Sequence, residues 1–388
     1  MEVAPLHYQP ALDGARAVAV GVVVLYHYTL DFTGGLIGVD FFFVLSGFLI
    51  TTLLLDEKNR SGGVSLRGFY RRRALRLFPA MYALLAVVAL AAIPFRNELP
   101  LIWAELGAAS LYSYFLVPVL FGLASASSPR VLFPLWSLSV EEWFYLFWPA
   151  LLVFGLVTIR RQRWLIGLSV AWALMWMGLR LLAGAIGADW TAEDPFAGTG
   201  VGYAGQVLFR MSILRFDMLT FGCLLAILVR RFALIPDGPR PKWLGPLAFT
   251  GLAVLLAELV LAGRVSFFQP WSAVGFNLAL LGIIPVVAWI HLVPSGAIPR
   301  LLTLPVLLWI GRRSYGIYLW HELVNVLVPA PQSKVAILAR AAVLGLITLG
   351  VAQLSWRFIE SPFMKRIDLR HGRAQVSTGH VEESTGDP

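Results

Sequence analysis

The sequence predicts an all-α integral membrane protein, a helical bundle of about ten transmembrane helices with both termini in the cytoplasm. Three observations carry this. First, 58% of the 388 residues are hydrophobic and 14% charged, where a soluble domain runs nearer half and a quarter; mean hydropathy is +0.75. Second, ten apolar runs approach the ~20 residues needed to cross a hydrocarbon core as helix. Third, the basic residues are distributed asymmetrically between alternate loops. Together these exclude a soluble enzyme and a disordered chain. Cys223 is the single cysteine, so an intrachain disulfide and a multi-cysteine metal site are excluded as well.

The runs lie, in order, at 12–31, 36–55, 77–95, 136–157, 164–183, 206–229, 243–262, 272–292, 314–330 and 335–357. An eleventh stretch, 101–123, is ambiguous by hydropathy, and charge decides it. The loop 56–76 carries seven Lys/Arg and is placed in the cytoplasm. With ten spans, 23 of the 31 Lys/Arg then fall on cytoplasmic segments and four on outer ones, the last four lying inside spans. If 101–123 also crossed, RRQR at 160–163 and the later basic loops would face outward. It is therefore expected to be a re-entrant or surface-lying outer helix. The N-terminus lacks the basic n-region and cleavage site of a signal peptide. Pro-rich 236–246 is an interhelix loop. Residues 1–370 form one membrane domain, and the polar segment 371–388 is expected to be a disordered cytoplasmic tail. The formal charge of +9 belongs to cytoplasmic loops, so no nucleic-acid partner is expected; the partner is the bilayer of the cell membrane.

Charged and polar residues inside spans are costly and mark function. Arg16 and His27 lie eleven residues apart on the first span. That is roughly 16 Å and close to three turns, so both point to one side. His27 is a candidate general base, or else a hydrogen-bonded interior histidine. Asp40 on the second span and Glu141 and Glu142 on the fourth are expected at the depth of His27, so that Asp40 or Glu142 orients it. Adjacent acids point about 100° apart, so one of the two glutamates at most reaches a common site. Ser46 and Gly47 fit helix packing. Trp136, Trp143 and Trp148 fit packing or interfacial positions. Arg73 and Arg76 in FYRRRALRLFP are one helical turn apart; they can fork onto phosphates or simply anchor a cytoplasmic helix end.

Further along, Arg215 and Asp217 are too close in sequence to pair along one helix face. His321 and Glu322 fall mid-span, where the histidine can be structural. Glu360 closes the last span, with an arginine expected as its partner. The spacing of the histidines demands no metal and no metal is expected; HExxH and Gly-rich phosphate loops are absent from the sequence. Cys223 has no base near it in sequence.

The segments QPALDGARAVAVGVVVLYHY, GGLIGVDFFFVLSGFLIT, FYRRRALRLFPA, PLWSLSVEEWFYLFWP, SILRFDMLTFGCLLA, GRRSYGIYLWH and RFIESP, in this order, resemble the acyltransferase 3 family of membrane O-acyltransferases over about residues 9–365. Arg16 and His27 fit the family's arginine–ten residues–histidine pattern, and Arg73 and Arg76 its arginine–two residues–arginine pattern. Trp143 stands where the family usually has Gln. The resemblance implies ten spans and transfer of a short acyl group from cytoplasmic acyl-CoA to a hydroxyl. The acceptor it implies is an exported glycan, a glycolipid or a macrolide antibiotic. In that reading His27 is the general base, oriented by Asp40 or Glu142, and Arg16, Arg73 and Arg76 hold the donor. Some members carry a further extracytoplasmic esterase-like domain; only the 31 residues 358–388 follow the last span here, so the domain is expected to act alone or with a separate partner. From the residues alone the rival is a secondary transporter using buried His and carboxylates as a proton relay. The related halves such transporters often show are not visible in this sequence.

Overall fold

The computed structural model describes residues 9–29, 33–93, 99–117, 131–158, 162–186, 212–261 and 270–365, and among them every regular element is helical. The helices are α1 (Pro10–Thr29), α2 (Ile37–Ser61), α3 (Leu66–Ala92), α4 (Leu99–Ser110), α5 (Leu135–Thr158), α6 (Gln162–Ile186), α7 (Phe216–Arg231), α8 (Leu244–Leu261), α9 (Pro270–Leu292), α10 (Ala297–Leu302), α11 (Pro305–Arg312), α12 (Ser314–Val326) and α13 (Lys334–Ser355). Among the described residues, five helical stretches are long and apolar enough to cross a membrane: 34–61, 66–92, 163–183, 244–261 and 334–365. Their outer faces suit lipid. On α13, Leu338, Leu346 and Leu354 recur at about two-turn spacing and are 61, 71 and 57% exposed.

Several boundaries differ from expectation. The α3 helix begins at Leu66, so the basic stretch 69–79 is its first half rather than its approach. Ser65 caps it, its Oγ accepting from the Gly68 N–H at 3.1 Å. The preceding helix α2 ends at Gly62, whose φ of 72° is the left-handed cap that a residue with a Cβ resists. The segment 101–123 yields α4, whose twelve residues reach about 18 Å, short of a ~30 Å hydrocarbon core. The expected sixth span is described from Ser212, with its α-helix starting at Phe216. The ninth expected span, 314–330, is the continuous helix α12, which closes early at Val326; the separate helix α11 ends just before it at Arg312. After α13 the chain passes through a π-turn, Trp356–Glu360. Glu360 there accepts from Ser355 Oγ at 2.9 Å, in place of the expected arginine. The expected tail, 371–388, and Arg210 lie outside the described residues.

A seam between α2 and α7 shows what holds the bundle. Gly47 lies against the Leu219 carbonyl and Gly222 against that of Val44, each so close that a Cβ would overlap backbone. Small residues let membrane helices approach this way, where lipid gives little hydrophobic drive to associate. Ion pairs close the seam on either side: Asp40 with Arg215, and Asp56 with Arg230. Residue numbers rise together along both helices, so the two run parallel. Cys223 is buried in this seam. One turn over, Arg180 of α6 pairs with Asp217 at 2.7 Å, both fully buried, and its Nη2 donates to Asn277 of α9 at 3.0 Å. Arg215 and Asp217 thus each serve a different helix. The packing role expected for Trp148 also holds, its Nε1 donating to Thr51 Oγ1 at 2.8 Å.

Candidate active site

A cavity of about 750 Å³ opens among α1, α2, α3, α5 and α12, with Arg16, Arg73, Arg76, Glu141, Glu142 and Tyr318 on its wall. The helical period brings Arg73 and Arg76 to the same face of α3, as their spacing requires. Their situations differ. The Arg73 guanidinium forks onto Glu142, with Nη2 at 2.6 Å and Nε at 2.9 Å from Oε1. It lies 3.4 Å from Glu141 Oε1 and sits 3.3 Å over the Tyr145 ring. Glu141 in turn accepts from Ser46 Oγ and Tyr145 OH, each at 2.6 Å. Arg73 is therefore a saturated cation. Arg76 has an exposed side chain facing the cavity and makes no hydrogen bond or ion pair with the described residues. Arg16 lies between these extremes, 3.5 Å from Asp13, which is also 3.9 Å from Arg312.

A second cluster lies one turn along α12 from the cavity wall. The Tyr318 carbonyl, at the cavity, faces His321 Nδ1 at 2.5 Å. On α1, His27 Nδ1 faces the Val23 carbonyl at 2.9 Å. A carbonyl only accepts, so in both neutral rings the proton sits on Nδ1 and Nε2 carries the lone pair. The two rings meet edge-on, centroids 4.8 Å apart. Glu322 completes the cluster: His27, His321 and Glu322 each offer a ligand atom, all within 4.8 Å of one another. His321 is fully buried and its Nε2 has no hydrogen-bond partner. Asn325 ties the cluster together, donating to the His27 carbonyl at 3.1 Å and to both Glu322 oxygens at 3.3 Å. Arg340 of α13 holds Asn325 in turn, at 2.9 Å from its Oδ1.

The structure thus gathers Arg16, Arg73, Arg76 and Glu142 at the cavity and sets His27 beside His321 and Glu322. The acids expected to orient His27 form pairs elsewhere. Asp40 is 1% exposed and committed to Arg215, and Glu142 is committed to Arg73. The shared depth inferred for these acids assumed that α5 starts at the outer surface. Instead the Tyr318 OH donates to the Pro134 carbonyl at 3.0 Å and bonds Ser137 Oγ at 2.6 Å. The start of α5 therefore packs against α12 at Tyr318, and its glutamates meet Arg73 of α3. Glu322 and Asn325 were the carboxylate and amide to seek: they lie one turn apart on an otherwise apolar helix beside His321.

The acyltransferase-domain family profile matches residues 9–357. The chain is 33% identical to the peptidoglycan O-acetyltransferase OatA of Listeria monocytogenes, over 92% of this chain and 56% of that protein. It is 31% identical to the O-acetyltransferase OatA of Staphylococcus aureus strain NCTC 8325, over 92% of this chain and 58% of that protein. A putative O-acetyltransferase of Staphylococcus aureus strain MSSA476 is 32% identical, over 93% and 58% respectively. The chain thus spans a little over half the length of these curated relatives. No solved structure matches it. With nearly every described helix inside the matched range, the chain belongs to the acyltransferase 3 family of membrane acyltransferases.

Proposed function

We propose that the protein is a multi-pass O-acyltransferase of the cell membrane, with ten spans and both termini in the cytoplasm. It moves an acetyl or other short acyl group from cytoplasmic acyl-CoA to a hydroxyl of a sugar-containing acceptor. The observation that carries the chemistry is the open Nε2 of His27, with its tautomer fixed by the Val23 carbonyl. His27 Nε2 takes the proton of the acceptor hydroxyl as its oxygen attacks the thioester carbonyl. The C–S bond then breaks, and CoA leaves as a thiolate that takes up the proton from the imidazolium as free CoA thiol. Glu322 is the carboxylate near enough to stabilise that imidazolium, a role Asp40 and Glu142 are too engaged to fill. Arg76 and Arg16 are the cations available to the donor's phosphates; Arg73 serves chiefly to hold Glu142 in the cavity wall. A peptidoglycan-acetylating relative favours a glycan acceptor over a macrolide.

The test is release of free CoA from acyl-CoA by purified protein, with glycan fragments and a glycosylated macrolide as acceptors. Acceptor-dependent release by the wild type, lost in His27→Ala, supports the proposal. Equal release by both removes His27 as base. Uptake of substrate into vesicles without CoA turnover would favour a transporter instead.

A further inference from the structure

We infer that His27, His321 and Glu322 form a binding site for a transition-metal cation of the zinc class, and that this ion inhibits the reaction proposed above. Binding follows from the cluster alone; inhibition rests on the reading of His27 as base.

Two imidazole nitrogens and a carboxylate are a zinc donor set, and three protein ligands with an open fourth position are its usual arrangement when a small molecule also binds. The lone pairs are free in the right places. Both Nδ1 atoms are turned to backbone carbonyls, which is how metal-bound histidines are normally held from behind. His321 Nε2 is buried with no hydrogen-bond partner and lies 4.0 Å from Glu322 Oε2, a costly state for a polar atom that an ion would relieve. The carboxylate has its own support from Asn325, itself fixed by Arg340. Donor atoms around tetrahedral zinc at ~2.0–2.1 Å stand about 3.3 Å apart. Those of the cluster lie within 4.8 Å, so a modest inward movement of the half-buried His27 and the buried Glu322 closes it. Magnesium and calcium prefer all-oxygen shells and are disfavoured. The same Nε2 lone pair cannot hold a metal and accept a proton, so occupancy and base catalysis exclude each other.

The test uses the full chain in detergent, with any histidine tag removed. Zinc bound per chain is measured by equilibrium dialysis, and cobalt(II) substitution is followed by its visible absorption. The expected result is one ion per chain with tetrahedral cobalt bands, lost in His27→Ala and in His321→Asn, and weakened in Glu322→Gln. Elution profile and thermal unfolding establish that each variant is folded, and His291→Ala, on α9 where His291 Nδ1 meets Gln9 Oε1 at 2.8 Å, retains the ion. Absence of saturable binding, or stoichiometry unchanged in both histidine variants, overturns the site. In the activity arm, zinc suppresses CoA release and a chelator restores it. Binding without suppression overturns the inhibitory role. Absence of CoA release even without zinc would strike the acyltransfer proposal while leaving the binding result standing.

Discussion

The arginine-lined cavity and the imidazole cluster sit one helical turn apart, yet they are built on opposite principles. In the cavity wall the strongest cation is satisfied in advance. Arg73 is forked onto Glu142, backed by Glu141 and covered by Tyr145. In the cluster the reactive atoms are left open, the Nε2 lone pairs of His27 and His321, while everything around them is pinned. A buried charge must be paired to be tolerated, whereas a neutral imidazole can be buried with one nitrogen idle at smaller cost. The comparison assigns scaffolding to the saturated charges and chemistry or ligand binding to the open groups.

The sharpest way to break that contrast is at His27. General base catalysis is worth about 10²–10⁴-fold, or ~3–5 kcal/mol of barrier. His27→Ala is expected to lose that much in kcat with unfolding temperature little changed, measured by CoA release and thermal unfolding in detergent. A large drop in unfolding temperature would make His27 structural. Next comes the α2–α7 seam. Removing one partner of a buried ion pair costs about 3–5 kcal/mol, so Asp40→Asn should destabilise strongly. Pairing it with Arg215→Met should recover part of the loss; a mild Asp40→Asn would restore Asp40 as a candidate for the site.

The two cavity arginines should then separate. Arg76→Ala is expected to raise KM for acyl-CoA about tenfold or more, from the loss of charge-assisted hydrogen bonds, without affecting folding. Arg73→Ala should instead lower stability by stranding Glu142, an outcome read by thermal unfolding of both variants. Equal effects on KM would show that the saturated pair opens to bind ligand. The smallest effect is expected at Asn325. Asn325→Ala removes one link between His27 and Glu322 and should lower kcat by several-fold with KM unchanged, while Asn325→Asp should not restore it, since a carboxylate cannot donate to Glu322.

The sequence by itself determined the membrane class and marked the candidate residues. Apolar length and charge asymmetry speak for each run separately. A histidine in an apolar helix stands out without knowledge of its neighbours. The pairs Arg16/His27 and Arg73/Arg76 share faces because helical period acts within one element. Tertiary structure alone decided the partners. Asp40 meets Arg215, Arg73 meets Glu142 and His27 meets His321 across helices distant in sequence. Which side chains meet depends on helix depth and rotation. Those are set by backbone-close glycine seams such as Gly47–Leu219 and by the packing of the start of α5 against Tyr318. Counting residues inward from an assumed flat membrane surface carries no information about either, because a helix end is placed by what it packs against rather than by where its apolar run begins.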